Sequence, residues 1–209
     1  MDQPTGLREL KKRRTREAIS NTAIELFFEH GFDQVSISRI AEKAEVSRRT
    51  LFAYFPTKED LVLHRIADHE TESARVAQDN PDAPLAALRA HFLDGLERRD
   101  PITGLCDAPE PLALYRLLLG TPSLAARMFQ FREVGEQAVA EALAQRVPTL
   151  TARFAAAQIM VVQWRLCEDN YEAVAGGTSA DDAYPAAVEA ATHAFDLLEA
   201  GLGRTLGFA

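Results

Sequence analysis

Residues 35–55 read VSISRIAEKAEVSRRTLFAYF, and their spacing predicts two short helices packed across a tight turn. Ile37, Ile40, Ala41, Val46, Leu51 and Phe55 are apolar at intervals that give each helix one buried side, and Ala41 is small where the two must approach. Ser36 and Ser47 each stand where a helix begins, and a hydroxyl there accepts an orphan backbone N–H. This is the helix-turn-helix arrangement, in which the second helix lies in the major groove of DNA. Its open face would present Ser47, Arg48, Arg49 and Thr50. Two cations and two hydroxyls suit phosphates and base edges, and arginine forks onto guanine O6 and N7.

Working outward, the segment upstream reads as one helix over residues 8–30. Ile19, Ala23, Leu26 and Phe27 recur at three- and four-residue spacing, and Gly31 is a natural stop. Downstream, Thr57-Lys58-Glu59-Asp60 has the spacing of a capping box with Asp in place of Glu, opening a long helix to residue 79. Helices follow around Leu85 to Leu96, 112–119, 121–147 and 149–175, with a last one starting at Ser179. Residues 101–111 carry three prolines and a glycine and read as a loop or a short turn of helix. The total is about nine helices with no period-2 strand run, so the fold class is all-α.

The 209 residues suffice for one or two compact domains. We expect a helix-turn-helix domain over residues 1–60 and a helical effector-binding and dimerisation domain over 61–209. The longest uncharged run, residues 154–164, has 11 residues, against about 20 for a membrane span. The opening Met1-Asp2-Gln3-Pro4 lacks a basic-then-apolar export signal. Two cysteines, Cys106 and Cys167, fit a reduced compartment, so a cytoplasmic protein is expected.

The net charge of −8 argues at first against nucleic acid, but its distribution reverses that. Residues 1–58 hold 11 Lys and Arg against 8 Asp and Glu, a balance of +3, and include all four lysines. Residues 59–209 hold 12 against 23, a balance of −11. The basic end is the one that carries the helix-turn-helix.

Residues 15–62 resemble the DNA-binding domain of the tetracycline-repressor (TetR) family. The residues that carry the resemblance are Leu26-Phe27-Phe28-Glu29-His30-Gly31-Phe32, Ile40-Ala41, Ala44, Val46-Ser47, Thr50-Leu51-Phe52, Tyr54-Phe55 and Lys58-Glu59-Asp60-Leu61. Members are all-helical homodimers, mostly repressors, whose divergent C-terminal domain binds a small effector that releases DNA. The resemblance and the residue chemistry together imply that Ser36, Ser47, Arg48, Arg49 and Thr50 meet DNA at the major groove. Tyr54 and Lys58 would hold phosphates, and Lys11, Lys12, Arg13, Arg14 and Arg16 would reach the backbone or a minor groove. Glu45 stands where the family usually has a turn glycine, and Phe52 where a tyrosine often supplies a phosphate contact. The implied partners are double-stranded DNA bearing a palindromic operator, a small-molecule effector, and a second copy of the chain.

In the acidic half, Phe92, Tyr115, Met128, Phe131, Arg132, Trp164, Arg165 and Tyr171 are candidate effector contacts, since a small-molecule site is mostly apolar with a few polar groups. Leu96 and Leu118 are further candidates of the same kind. Arg165 would meet an anionic ligand or pair with Glu168 or Asp169. The last helix carries a small-residue stripe (Ala186, Ala190, Ala194, Leu197, Gly201) and a bulkier one (Val188, Ala191, Phe195, Leu198, Leu202). The preceding helix has Phe154, Ala157 and Val161, with Cys167 or Glu168, on one face. Two such helices from each of two protomers would make a four-helix interface, and the same stripes also suit an intramolecular core.

An enzyme is the rival class. The five histidines form no HExxH pattern, the cysteines no CxxC, and no glycine-rich phosphate loop occurs. We therefore expect no catalytic residue, metal or cofactor. The alternative within the fold is a dimeric helical regulator with weak DNA binding, controlled by a protein partner.

Overall fold

The computed structural model describes residues 4–202, without the side chains of Pro4, Thr5, Leu7 and Leu202. Three readings fall outside the described residues: the Met1-Asp2-Gln3 start, the Leu202 end of the bulky stripe, and the far end of the 61–209 domain. Within the described residues there are ten α-helices and no strands. They are α1 (Pro4–His30), α2 (Ile37–Lys43), α3 (Arg48–Tyr54), α4 (Asp60–Leu63) and α5 (Glu72–Asp79), then α6 (Pro84–Glu97), α7 (Pro109–Gly120), α8 (Pro122–Leu143), α9 (Thr149–Ala175) and α10 (Ala180–Leu202). Two 3-10 turns, Ala67–His69 and Pro101–Thr103, interrupt them.

The chain forms two compact units, residues 1–67 with 117–127, and residues 68–116 with 128–209. In the first, α1 packs on α2 and α4, and α2 on α3. Its core is Ile19, Leu26, Phe27, Ile40, Leu51, Phe55, Leu61 and Val62, all nearly inaccessible to solvent. Burying each such side chain stabilises by about 1.5–3 kcal/mol. Ser20, buried among them, donates its hydroxyl to the Leu61 carbonyl at 2.7 Å and so ties α1 to α4 without an orphan polar group.

In the second unit, α10 packs on α9 and α6, and α5 on α6. The alanines Ala152, Ala155 and Ala156 leave α9 slender on the side that enters the core, where Leu88, Leu96, Ile159, Ala191 and Phe195 fill the space. Phe92 and Phe195 bring their rings to 6.2 Å. Gly104 has φ +76°, and a Cβ there would lie 2.1 Å from the Cys167 carbonyl oxygen, so the turn after Pro101–Thr103 can sit against α9 only as glycine.

One expected element is broken. The helix anticipated over residues 58–79 is instead α4, a 3-10 turn and α5, which raises the helix total from nine to ten. The start follows the capping box: Thr57 N–H donates to Asp60 Oδ2 at 2.9 Å and Asp60 N–H to Thr57 Oγ1 at 3.2 Å. After Leu63 the backbone tightens to three-residue bonds, from Arg65 to Val62 and from Ile66 to Leu63. Residues 64–71, HRIADHET, offer little apolar surface to hold a regular helix in place, whereas His69 gains a bond to the Glu72 carboxylate by turning. Other boundaries shift modestly: α1 begins at Pro4, α7 at Pro109, and α8 ends at Leu143.

Candidate nucleic-acid interface and ligand cavity

The turn between α2 and α3 is a Schellman closure. Val46 N–H donates to the Ala41 carbonyl at 2.9 Å and Glu45 N–H to the Glu42 carbonyl at 3.1 Å. That geometry places Glu45 at φ +54°, a left-handed conformation that disfavours a side chain. The turn keeps its shape with an acid where a glycine would be unstrained.

α3 then starts on Ser47, whose hydroxyl oxygen accepts the Thr50 N–H at 3.0 Å and lies 2.7 Å from Thr50 Oγ1. Ser36 caps α2 likewise, accepting from Arg39 N–H at 3.2 Å. Leu51 and Phe55 hold the inner side of α3 in the core, which turns Arg48 and Arg49 to solvent. Neither arginine has a hydrogen-bond or ion-pair partner among the described residues. Phe52 is also exposed, and Tyr54 is half-buried.

Lys58 is held by its own domain. Its ammonium donates to the Phe32 carbonyl and sits 4.3 Å from the Phe32 ring centroid and 5.4 Å from that of Phe27. Desolvation lowers its pKa, against the pull of Asp33 and Glu59. Two of its three N–H donors remain for other acceptors. The basic run at Lys11, Lys12, Arg13, Arg14 and Arg16 is exposed on α1. Arg13 pairs with Glu17 at 3.7 Å, and Arg16 lies 5.2 Å from the Phe55 ring centroid.

A cavity lies in the second unit, enclosing about 710 Å³ of atom-free space, part of it open to solvent. Of the eight candidate contacts, Phe92, Phe131, Arg132 and Trp164 line it. Phe131 meets Trp164 edge-on with centroids 6.3 Å apart. Arg132 stacks 4.2 Å from the Trp164 centroid while pairing with Glu168 at 2.8 Å.

The other four lie elsewhere. Tyr115 stacks on Tyr171 at 5.1 Å, and its hydroxyl sits 3.1 Å from Cys167 Sγ, where burial raises its pKa well above the usual value. Arg165 is mostly exposed and pairs with Glu168 at 3.3 Å, and Met128 is buried outside the lining. Leu96 and Leu118 are likewise core.

Sequence reasoning missed the polar end of the cavity. The Glu72 carboxylate bridges two imidazoles, with Oε2 2.5 Å from His69 Nδ1 and Oε1 3.2 Å from His91 Nε2. Those bonds hold the Glu72 carboxyl far below the usual range and raise both histidine pKa values, burial opposing each shift. Ser73 donates to Gln163 Oε1 at 3.1 Å beside them. The His69–Glu72 spacing of three residues was a readable signal, but His91 arrives from another helix.

On α10, Ala183, Ala187, Ala191, Phe195 and Leu198 face the core, whereas Ala186, Ala190 and Gly201 are exposed and Leu197 is 61% exposed. Ala194 and Val188 are half-buried. On α9, Leu150, Phe154 and Val161 are 63%, 63% and 65% exposed, while Cys167 is buried. No described helix is long and apolar enough to cross a membrane.

Residues 19–64, which span α2, α3 and α4 with the C-terminal part of α1, match the profile "Bacterial regulatory proteins, tetR family". The chain is 34% identical to the HTH-type transcriptional regulator TcmR of Streptomyces glaucescens over 144 residues, 68% of this chain and 64% of TcmR. The chain thus covers under two thirds of that relative. It is 28% identical to the regulator MftR of Mycobacterium tuberculosis over 193 residues, 91% of this chain and 92% of MftR. Its fold is similar to that of NalD, the secondary repressor of the MexAB-OprM multidrug efflux pump in Pseudomonas aeruginosa. The TM-score is 0.56 at 18% identity, over 88% of this chain and 96% of NalD. With a capped helix-turn-helix and a helical second unit that agree with these likenesses, residues 19–64 carry the DNA-binding domain of the tetR family of bacterial regulatory proteins, a family of regulators rather than enzymes.

Proposed function

We propose that the chain is a homodimeric, sequence-specific repressor that binds a palindromic operator and leaves it when a small, largely apolar effector enters the cavity. The observation that carries this reading is the pair Arg48 and Arg49, unpartnered and exposed on a helix whose opposite side is locked into the core by Leu51 and Phe55. Ser47 and Thr50 fix the start of that helix, Tyr54 and Lys58 supply phosphate contacts, and Ser36 adds a hydroxyl at the start of α2. The protein works in the cytoplasm, where its DNA is.

Dimerisation is supported by the exposed Leu150, Phe154 and Val161 on α9 with Leu197 and the small residues of α10, a larger apolar exposure than a solvated bundle face needs. Two copies would set the recognition helices about 34–36 Å apart, one helical turn of DNA. For release, α8 offers a continuous path. It carries Phe131 and Arg132 of the cavity wall one turn after Arg127, whose guanidinium holds Asp60 of the capping box at 2.6 Å. This replaces the single long helix expected to join the two halves.

A mobility shift with the promoter beside the protein's own gene tests the reading. A discrete retarded complex whose log affinity falls linearly with log salt is expected. Absence of any complex at low salt would refute DNA binding.

A further inference from the structure

The ligand cavity is lopsided in its hydrogen-bonding capacity. Two of its three carboxylates are already engaged: both Glu72 oxygens hold histidines, and Asp100 accepts the Ile102 N–H at 3.2 Å and lies 3.6 Å from Arg98, while the third, Glu70, is half-buried in the wall. The Cys167 thiol and the Thr103 hydroxyl donate to the carbonyls of Ile102 and Asp100. The remaining polar groups include donors. Gln163 uses its amide oxygen on Ser73, which leaves its NH2, and each imidazole has one ring nitrogen turned away from Glu72. The rest of the wall is apolar, with Phe92, Ile102, Phe131, Met160 and Trp164.

Resting on the effector-cavity reading above, we propose that this cavity selects an aromatic molecule bearing an acidic oxygen, a carboxylate or a phenolate. The ring lies on the Phe92, Phe131 and Trp164 wall, and the oxygen meets His69 Nε2 and His91 Nδ1. Glu72 fixes the tautomer: it accepts the His69 Nδ1–H and the His91 Nε2–H, so each outer nitrogen is a lone pair when the ring is neutral and an N–H when it is charged. A ligand that arrives as the free acid transfers its proton to an outer nitrogen. Its O–H bond breaks, an N–H bond forms, and the resulting imidazolium is held between the ligand anion and Glu72. A ligand that arrives ionised needs the imidazolium already present, which the raised histidine pKa values favour.

The groups acting on these rings are Glu72, Asp68 and Asp100 on His69, and Glu72, Asp94 and Arg98 on His91. Glu70 and the Glu168-paired Arg132 line the rest of the charged wall. As pH rises through the raised pKa values, the outer N–H groups are lost and a lone pair faces the anion.

The test is calorimetric titration of the full chain with 2-naphthoate and its neutral isostere 2-naphthamide. Fluorescence of Trp164, the chain's single tryptophan, reports occupancy of the cavity. At about pH 6 naphthoate should bind about tenfold or more tighter than the amide. As pH rises and the histidines lose their protons while the probe stays ionised, that preference should shrink to within about threefold while the amide affinity stays level. The paired substitution His69→Gln and His91→Gln should abolish the preference yet keep amide binding and the Trp164 response, which shows that the fold is intact. Equal affinity for the two probes at about pH 6, or a preference that survives the paired substitution, overturns the proposal while leaving the cavity as an effector site. Failure of both probes to perturb Trp164 overturns the effector-cavity reading itself.

Discussion

The recognition helix of the first unit and the helical bundle of the second contrast in how they hold particular arginines. On the recognition helix of the first, Arg48 and Arg49 stand exposed with no partner among the described residues. In the second, Arg89 pairs with Asp196 at 2.7 Å, Arg99 with Asp181 at 2.8 Å, and Arg132 with Glu168 at 2.8 Å. The −8 of the whole chain averages these two regimes. The recognition helix carries cations that await an anion, whereas Arg89, Arg99 and Arg132 of the second unit are each matched by an acid. Such a body disfavours non-specific wrapping by DNA and leaves contact to the head.

Four changes would break or sharpen that contrast. Leu51→Ala removes a fully buried side chain between α3 and the core and should destabilise the first unit by about 2–5 kcal/mol. Operator affinity should collapse, while Trp164 fluorescence, which reports on the second unit, changes little.

Next in size, Arg48→Ala and Arg49→Ala should each cost about 1–3 kcal/mol of discrimination between operator and unrelated duplex. Lys12→Ala should weaken all duplexes alike and flatten the salt slope by about one unit. Anisotropy titrations over a salt series separate the two behaviours, and identical effects on both measures would erase the distinction between reading and positioning cations.

The third change probes the matched charges of the body. Glu72→Gln should cost about 1–2 kcal/mol of stability where Glu72 is ionised and both histidines are charged. The glutamate's contribution is present above its unfolded value near 4.5 and fades as pH falls, whereas that of the histidines is full below their unfolded value near 6.5 and fades as pH rises through their raised pKa values. The deficit of the variant should therefore peak between about 4.5 and 6.5 in urea melts and shrink on both sides.

The smallest is Glu45→Gly, which relieves a left-handed φ of +54° at the α2–α3 turn. It should stabilise the first unit by about 0.5–1 kcal/mol after the added freedom of the unfolded chain is counted.

The head was the more legible region because its determinants are local. Ser36, Ser47 and the Thr57–Asp60 box announce helix starts within four residues, and the structure forms each bond. The strain at Glu45 was also readable, since a Schellman turn demands a left-handed residue there. The break between α4 and α5 was not, because no proline or glycine marks it and only the scarcity of apolar residues over 64–71 hints at it.

The cavity was half legible. Phe92 of α6, Phe131 of α8 and Trp164 of α9 line the cavity, but periodicity cannot separate a residue that lines a void from one that fills it. Tyr115 and Tyr171 therefore looked like cavity residues and turned out to stack on each other. The bridging of His91 to Glu72 joins two helices and left no mark in local spacing.

The most direct test of the account is selection of bound sequences from a random duplex pool by the full chain, beside the Arg48→Ala, Arg49→Ala double variant. The account predicts that the native chain enriches one inverted repeat with half-sites about one helical turn apart, or a multiple of it, and that the variant enriches none. A native chain that recovers no sequence above the starting pool, or a variant that recovers the same repeat, would contradict it.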